Sequence, residues 1–277
     1  MAALPAVITI GIDPTIEIGP ITIAWHGLTI AIGIVIGGMA VALDARRRGL
    51  DPERVYAIGM ILIVGALAGG RAFYLLEQGD LDDPGAWLGT TGFTFYGGFI
   101  AAALGIAYYV RRERLSVSYL DAIAAGLPLG LAIGRVGDVI NGEHYGPASD
   151  FFLAVRNTHP DALTPNPDLA YHSGGLYEVL IGASVFAIVW PLRKRLQPRP
   201  LALMWLMLAL LALGRFFEFF LRSDSDDLAL GLEIAQWTSL LILAITGAGA
   251  WLTLRRWPAP QRHPQAPGSA KRRRQRA

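Results

Sequence analysis

The sequence predicts an all-α membrane protein, a bundle of seven transmembrane helices with its N-terminus outside and its C-terminus in the cytoplasm. Of the 277 residues, 53% are hydrophobic and 17% are charged, whereas soluble domains carry about 25% charged residues. Apolar segments that approach the roughly 20 residues of a membrane span follow one another along the chain. Basic residues cluster in alternate loops, which predicts the orientation of the bundle.

The apolar segments form one predicted transmembrane domain over residues 1–257. Polar residues crowd the ends of the fourth and fifth segments, where a helix is less clearly bounded. We place the helices at residues 23–43, 55–76, 93–110, 120–140, 176–192, 201–221 and 232–254.

Charged loop residues orient this bundle. Arginine or lysine clusters follow the first, third, fifth and seventh predicted helices, at positions 46–48, 111–114, 193–199 and 255–256. The alternate loops are acidic, with aspartates at 80–83 and 224–227. Because cytoplasmic loops are enriched in basic residues, the pattern predicts an outside N-terminus and an odd number of helices.

Two segments outside the helices have distinct compositions. Residues 141–172 contain four prolines and are too long for a simple connection, so we expect a folded periplasmic cap between helices four and five. Residues 258–277 are rich in proline, glutamine and arginine. They predict a disordered basic cytoplasmic tail that lies against anionic lipid headgroups.

One stretch, residues 134–146, concentrates polar residues at the end of an apolar helix. It packs Arg135, Asp138, Asn141, Glu143, His144 and Tyr145 between four glycines. Charge at membrane depth is costly and usually marks a functional site. The glycines predict tight turns and a close approach of the backbone to something bound. Arg135 and Asp138 share a helix face, so they could also simply neutralise one another.

Two further arginines lie within apolar segments. Arg71 follows two glycines in the second helix, and Arg215 lies in an otherwise aromatic part of the sixth helix. With Arg135 they predict a site for an anion without matching buried carboxylates, and guanidinium is well suited to phosphate. The expected ligand is a phospholipid headgroup of the outer leaflet. A structural ion pair is the alternative for Arg71, and Arg222 is expected to snorkel to the interface.

The segment 134–146 resembles the signature of the bacterial prolipoprotein diacylglyceryl transferases, which runs roughly Gly-Arg-x-Gly-Asn-Phe-x-Asn-x-Glu-x-x-Gly. Other family elements follow in the same order along nearly the whole chain, up to about Trp257. They correspond to Trp25-His26-Gly27, Gly69-Gly70-Arg71, Tyr96-Gly97-Gly98, His172 with Leu176-Tyr177-Glu178, Arg215 to Arg222, and Gln236 with Ser239.

The resemblance implies transfer of the diacylglyceryl group of phosphatidylglycerol to the lipobox cysteine of a prolipoprotein signal peptide, in the bacterial cytoplasmic membrane and at its outer leaflet. Glycerol phosphate leaves, and no cofactor, metal or nucleic acid is implied. The catalytic residues implied are His26, Tyr96, Arg135 and Arg215. Arg71, Asn141, Glu143 and Gly146 would join the two arginines in binding phosphatidylglycerol. Supporting roles fall to Gly97, Gly98, Asp138, His172, Tyr177, Glu178 and Glu218.

The chain departs from the family pattern at three places. Asp138 replaces an asparagine and puts a negative charge beside the expected phosphate site. Glu218 follows Arg215 by three residues, where the family spacing is usually four. His26 stands where the family has tyrosine, and Tyr96 where many members have histidine. We hypothesise that the last two have exchanged roles, with His26 as the base near the thiol.

Other interpretations remain open at the level of sequence. His26 and Tyr96 could be ordinary interfacial residues, and Glu178 a carboxylate favoured by the start of a helix. The whole chain could be a non-catalytic protein that binds or moves lipids. A solute transporter would show internal symmetry and broken helices, and an intramembrane hydrolase Ser/His or paired-Asp motifs, none of which is evident in the sequence.

Overall fold

The computed structural model describes residues 7–78, 81–88, 92, 94–223 and 227–256, so the predicted tail at 258–277 lies outside the described residues. Within these ranges the chain is mostly helical, and a helix lies on each predicted apolar segment. The helices are α1 Trp25–Arg47, α2 Pro52–Gln78, α3 Phe95–Arg112, α4 Ser118–Gly134, α5 Val136–Asn141, α6 Gly174–Leu196, α7 Ala202–Glu218 and α8 Ile234–Arg256.

Six helical segments of the described chain are long and apolar enough to cross a membrane, which makes the protein a multi-pass membrane protein. They are Trp25–Arg47, Pro52–Gln78, Ser118–Asn141, Gly174–Leu196, Ala202–Leu221 and Ile234–Thr253. The 18-residue α3 is not among them. The count of seven spans and the orientation of the termini therefore stay predictions.

Glycine pairs bring α1 and α4 into backbone contact. Gly33 and Gly37 on α1 face Gly126 and Gly130 on α4, and a Cβ atom added at Gly33 would lie 2.4 Å from the carbonyl oxygen of Gly130. Helices in membranes associate through such small residues because lipid tails offer no hydrophobic driving force. The close packing fixes the start of α1 against the end of the predicted fourth helix.

The predicted fourth helix is broken into α4 and α5 at Arg135. The hydroxyl of Thr29, on α1, donates to the carbonyl of Gly134 at 2.8 Å and accepts from the amide of Gly137 at 3.1 Å. A side chain inserted into the helical hydrogen-bond ladder is a known cause of kinks. After the break, α5 packs closely against the start of α1, where Gly137 lies against His26.

Short strands lie before α1 and between later helices. The strands are β1 Ile8–Ile10, β2 Thr15–Ile18, β3 Ile21–Ala24, β4 Tyr145–Ala148, β5 Val155–Asn157, β6 Tyr171–Ser173, β7 Asp227–Ala229 and β8 Leu232–Glu233. One sheet has the order β1-β5-β6-β4, with β1 parallel to β5 and the other pairs antiparallel. The segment 141–172 is thus folded, as expected; its periplasmic location stays a prediction. Two hairpins, β2–β3 and β7–β8, precede α1 and α8.

Candidate active site

Glycines bring the ends of three helices together at one end of the bundle. A Cβ atom at Gly137, on α5, would lie 2.5 Å from the Cα atom of His26 at the start of α1. A Cβ atom at Gly175, at the start of α6, would lie 3.0 Å from the Cβ atom of Asp138. Glu178 follows one turn into α6. Close backbone packing therefore places His26, Asp138 and Glu178 beside one another.

Asp138 is fully buried between a histidine and an arginine. Its Oδ1 lies 2.5 Å from Nδ1 of His26, and its Oδ2 lies 2.5 Å from Nη1 of Arg135. A buried carboxylate is tolerated only with such partners. The possible pairing of Asp138 with Arg135 is confirmed, and His26 is joined to the same carboxylate.

Arg135 and Arg215 share a second carboxylate, that of Glu178. Nε of Arg135 lies 2.5 Å from Oε2 of Glu178, and Nη1 of Arg215 pairs with Oε1. The expectation that the arginines converge without matching carboxylates is therefore wrong. The carboxylate of Glu178 comes from α6, and the sequence around either arginine cannot indicate a partner on another helix.

Both guanidinium groups keep donors available. Arginine carries five N–H donors, and within the described residues Nη2 of Arg135 and both Nε and Nη2 of Arg215 make no hydrogen bond. The two side chains are 32% and 43% exposed. Together they form a fixed pair of cations that can still accept an oxyanion.

Arg222 belongs to the site, so the expectation that it snorkels is wrong. Its side chain is 7% exposed, and Nη2 lies 2.7 Å from Nδ1 of His144. Nη1 lies 3.7 Å from Oε1 of Glu218, which is buried beside Gly174. Glu218 therefore faces inward despite its shifted spacing. The seven-residue interval between Arg215 and Arg222 was the sequence signal for this shared face.

The backbone after α5 turns sharply to carry the next polar residues. Gly142 has φ +71° and ends α5, and His144 has φ +58°. Nδ2 of Asn141 donates to Oε1 of Glu143 at 2.8 Å, and Oε2 of Glu143 lies 3.5 Å from Nδ1 of His26. Asn157 on strand β5, which the sequence did not single out, donates to the carbonyls of Val139 and Ile140 in α5. The turn thus places Glu143 next to His26.

Gly146 lies against the end of the predicted sixth helix. A Cβ atom there would lie 1.7 Å from the carbonyl oxygen of Leu221 and 3.1 Å from Cβ of His172. The close approach predicted for this glycine is therefore to the protein's own backbone. His172 in turn contacts Tyr177, with Nδ1 2.5 Å from the hydroxyl oxygen.

Arg71 is held by backbone carbonyls of the connection between α2 and α3. Nε lies 3.0 Å from the carbonyl oxygen of Ala86, and Nη1 donates to Gly92 at 2.9 Å. Gly97 and Gly98 pack against α2, since Cβ atoms there would lie 2.5 Å from the Gly69 carbonyl and 2.7 Å from that of Ala66. Tyr96 lies in α3, but its side chain falls outside the described residues.

His26, Asp138 and Glu143 are also close enough to hold a metal ion, with ligand atoms all within 4.8 Å of one another. The histidines are scattered in the sequence, so this grouping arises only in the fold. Arg135 already brings a positive charge to Asp138. The negative charge of Asp138 in this grouping is therefore already compensated by the guanidinium of Arg135.

Known proteins are similar to this chain over a region that includes the site residues described above. Residues 14–253 match the family model for prolipoprotein diacylglyceryl transferase. The phosphatidylglycerol–prolipoprotein diacylglyceryl transferase of Thermosynechococcus vestitus is 33% identical over 250 residues, which cover 86% of this chain and 90% of that protein. Proteins of the same name from a Nostoc species and Geobacillus kaustophilus are 34% and 33% identical, over 91% and 87% of this chain and 93% and 91% of theirs. The chain belongs to the prolipoprotein diacylglyceryl transferase family.

Proposed function

We propose that this protein transfers the diacylglyceryl group of phosphatidylglycerol to the lipobox cysteine of prolipoproteins, forming a thioether and releasing glycerol phosphate. Family membership and the names of the relatives support the reaction. The observation that carries it is the pair formed by Arg135 and Arg215, locked side by side on Glu178 with donors to spare.

In this proposal the two guanidinium groups bind the phosphodiester of phosphatidylglycerol. Negative charge grows on the phosphate oxygen as the carbon–oxygen bond breaks, so preorganised cations stabilise the transition state more than the bound lipid. Removing one such donor typically costs about 100- to 1,000-fold in kcat. Glu178 keeps the two arginines oriented before the lipid arrives.

His26 is the proposed base. Its side chain is 38% exposed, which leaves room for the signal peptide beside it. The cysteine thiol gives its proton to His26, and the thiolate sulfur attacks the glyceryl carbon. A carbon–sulfur bond forms, the carbon–oxygen bond breaks, and its electron pair stays on the departing phosphate. Tyr96 would donate a hydrogen bond to the reacting groups.

The other site residues support this arrangement. Asn141 and Glu143 orient the headgroup or the loop that carries them, and Arg71 assists by fixing the connection between α2 and α3. Gly146, His172 and Tyr177 hold the sheet against the end of α7 and the start of α6. Arg222, through His144, ties the same end of α7 to the loop after α5.

We place the protein in the bacterial cytoplasmic membrane with seven spans, the N-terminus outside and the site open to the outer leaflet. The distribution of basic loops supports this orientation. It also puts the arginine pair where the phosphate of an outer-leaflet lipid and a translocated lipobox can both reach it.

The test is incubation of the purified protein with phosphatidylglycerol vesicles and a lipobox peptide. We expect the peptide to gain the mass of a diacylglyceryl group while an equal amount of glycerol phosphate is released. A peptide with serine in place of the cysteine and vesicles of phosphatidylethanolamine serve as controls. A folded protein that retains phosphatidylglycerol without forming product would support the non-catalytic lipid-binding alternative.

A further inference from the structure

Two of the three places where the chain departs from its family pattern touch each other. His26 and Asp138 are far apart in sequence, yet their Nδ1 and Oδ1 atoms are 2.5 Å apart. A carboxylate beside a phosphate site weakens anion binding unless a nearby cation or hydrogen-bond donor pairs with it. The contact indicates that the two departures form one unit.

The carboxylates beside Nδ1 indicate which tautomer the neutral His26 ring adopts. Its Nδ1 faces two carboxylates, Asp138 at 2.5 Å and Glu143 at 3.5 Å. Carboxylates only accept hydrogen bonds, so Nδ1 carries the hydrogen. Nε2 makes no hydrogen bond among the residues that the structure describes. In a neutral imidazole the second nitrogen is then the proton acceptor.

Asp138 is itself held rigidly. Its side chain is fully buried, and Oδ2 is engaged by Arg135 at 2.5 Å. Its backbone carbonyl accepts from the amide of Glu143 at 3.0 Å, and the preceding Gly137 is fixed by Thr29. A carboxylate held on both sides can aim the ring that it binds.

We propose that Asp138 is the positioning residue of His26, which makes the two side chains one base unit. The inference rests on the proposed function. Asp138 holds the ring with Nε2 toward the thiol and stabilises the imidazolium that forms when the sulfur gives up its proton. That proton then passes from Nε2 to the oxygen of the released phosphate. Arg135 compensates the carboxylate charge between turnovers.

A double-mutant cycle tests the pairing in full-length protein with phosphatidylglycerol vesicles and a lipobox peptide. Asp138→Asn should lower kcat by about 100-fold, within the range for losing general-base catalysis, with a much smaller change in KM. In the His26→Tyr background the same substitution should cost nothing further, because the base that it positions is absent.

Two outcomes of the cycle would overturn the proposal: Asp138→Asn with the wild-type kcat, or an equal loss in both backgrounds, which would indicate a structural role through Arg135. A wild-type protein without product would instead refute the proposed function. Asp121→Asn is the matched control. Asp121 is a buried aspartate on α4 that accepts from the amides of Leu201 and Met204, and its loss should leave kcat per folded molecule unchanged.

A spectroscopic measurement keeps the proposal testable if a variant does not fold. In protein labelled with ¹⁵N-histidine, the His26 resonances, identified by their absence in His26→Tyr, should show hydrogen on Nδ1 and none on Nε2. A ring that carries its hydrogen on Nε2 would contradict the assignment.

Discussion

Two clusters of arginines and carboxylates lie at opposite ends of the same helices, and they use the same chemistry differently. The open cluster consists of His26, Arg135, Asp138, Glu178 and Arg215. The closed cluster consists of Asp44, Arg47, Arg48, Asp121 and Arg193. Both draw on α1, the α4–α5 segment and α6, and His26 and Asp44 are separated by about 27 Å along α1 at 1.5 Å per residue.

Donors in the closed cluster are directed at the protein itself. Asp44 accepts from Nε of Arg47 at 2.7 Å and from Nε of Arg48 at 2.5 Å. The remaining nitrogens of Arg47 donate to Gln197 and to the backbone of Arg193. Asp121 accepts two amides at the start of α7. This cluster ties helices together and has little left to offer a ligand.

The open cluster differs in how far its unused donors are exposed. Its carboxylates are buried like those of the closed cluster, but among the described residues Arg135 and Arg215 retain unused N–H groups and remain partly exposed. Arginines that are largely buried against protein partners, such as Arg48 and Arg193 at 2% and 13% exposed, thus serve architecture. Arginines whose unused donors are also exposed indicate a binding site.

The largest expected effect is a loss of kcat when an arginine of the open cluster, but not of the closed cluster, is replaced by lysine. Arg135→Lys keeps the positive charge but loses the planar fork that can bind Asp138, Glu178 and a phosphate together. We expect kcat for peptide lipidation to fall by about 100- to 1,000-fold, with the fold retained. Arg48→Lys, in the closed cluster, should leave kcat per folded molecule unchanged. Similar losses in the two variants would break the comparison.

The next effect concerns stability and lies in the closed cluster. Asp44→Asn leaves Arg48, which is 2% exposed, as a buried cation without its main partner. Breaking a buried ion pair in this way costs about 3–5 kcal/mol. Thermal unfolding in detergent should show a large loss of stability, whereas surviving folded molecules should keep the wild-type kcat. An unchanged melting temperature would contradict the architectural role of the cluster.

A smaller effect is expected from the glycine that brings α5 to α1. In Gly137→Ala the new methyl group would lie 2.5 Å from Cα of His26, so α5 must move and the contact between His26 and Asp138 lengthens. We expect about a tenfold loss of kcat, in line with a misplaced catalytic group. Gly38→Ala is the control, because nothing lies within 4 Å of that position. Equal activities would show that the close packing does not set the site geometry.

The smallest effect is predicted for the carboxylate that joins the arginines. Glu178→Gln removes the negative charge that holds Arg135 and Arg215 together. A bound phosphate can still bring the two arginines together, because it supplies a negative charge of its own. We expect KM for phosphatidylglycerol to rise by roughly three- to tenfold with little change in kcat, the pattern of lost uniform binding. Glu113→Gln, which removes an exposed partner of Arg54, should change neither parameter. A fall in kcat without a change in KM would place Glu178 in the chemical step.

Sequence patterns predicted the helices well because each apolar run is long and bounded by basic or glycine-rich loops. The break at Arg135 could not be predicted, since Thr29, whose hydroxyl enters the helix there, lies 105 residues before its partner Gly134 along the chain. Signature residues such as Arg135 and Asp138 were found from their position in a helix exit. The pairing of Arg135 with Glu178 was not, because Glu178 comes from another helix, and the sequence named it only as a supporting residue with an ordinary structural explanation.

The most direct test of the open cluster is native mass spectrometry of lipid retention. The wild-type protein, released from mixed phosphatidylglycerol and phosphatidylethanolamine micelles, should retain one phosphatidylglycerol. Arg135→Ala combined with Arg215→Ala should abolish this retention, while Arg111→Ala combined with Arg112→Ala, at the end of α3, should keep it. Phosphatidylglycerol retained by the Arg135 and Arg215 variant as firmly as by the wild type would contradict the claim that these arginines form the lipid-phosphate site.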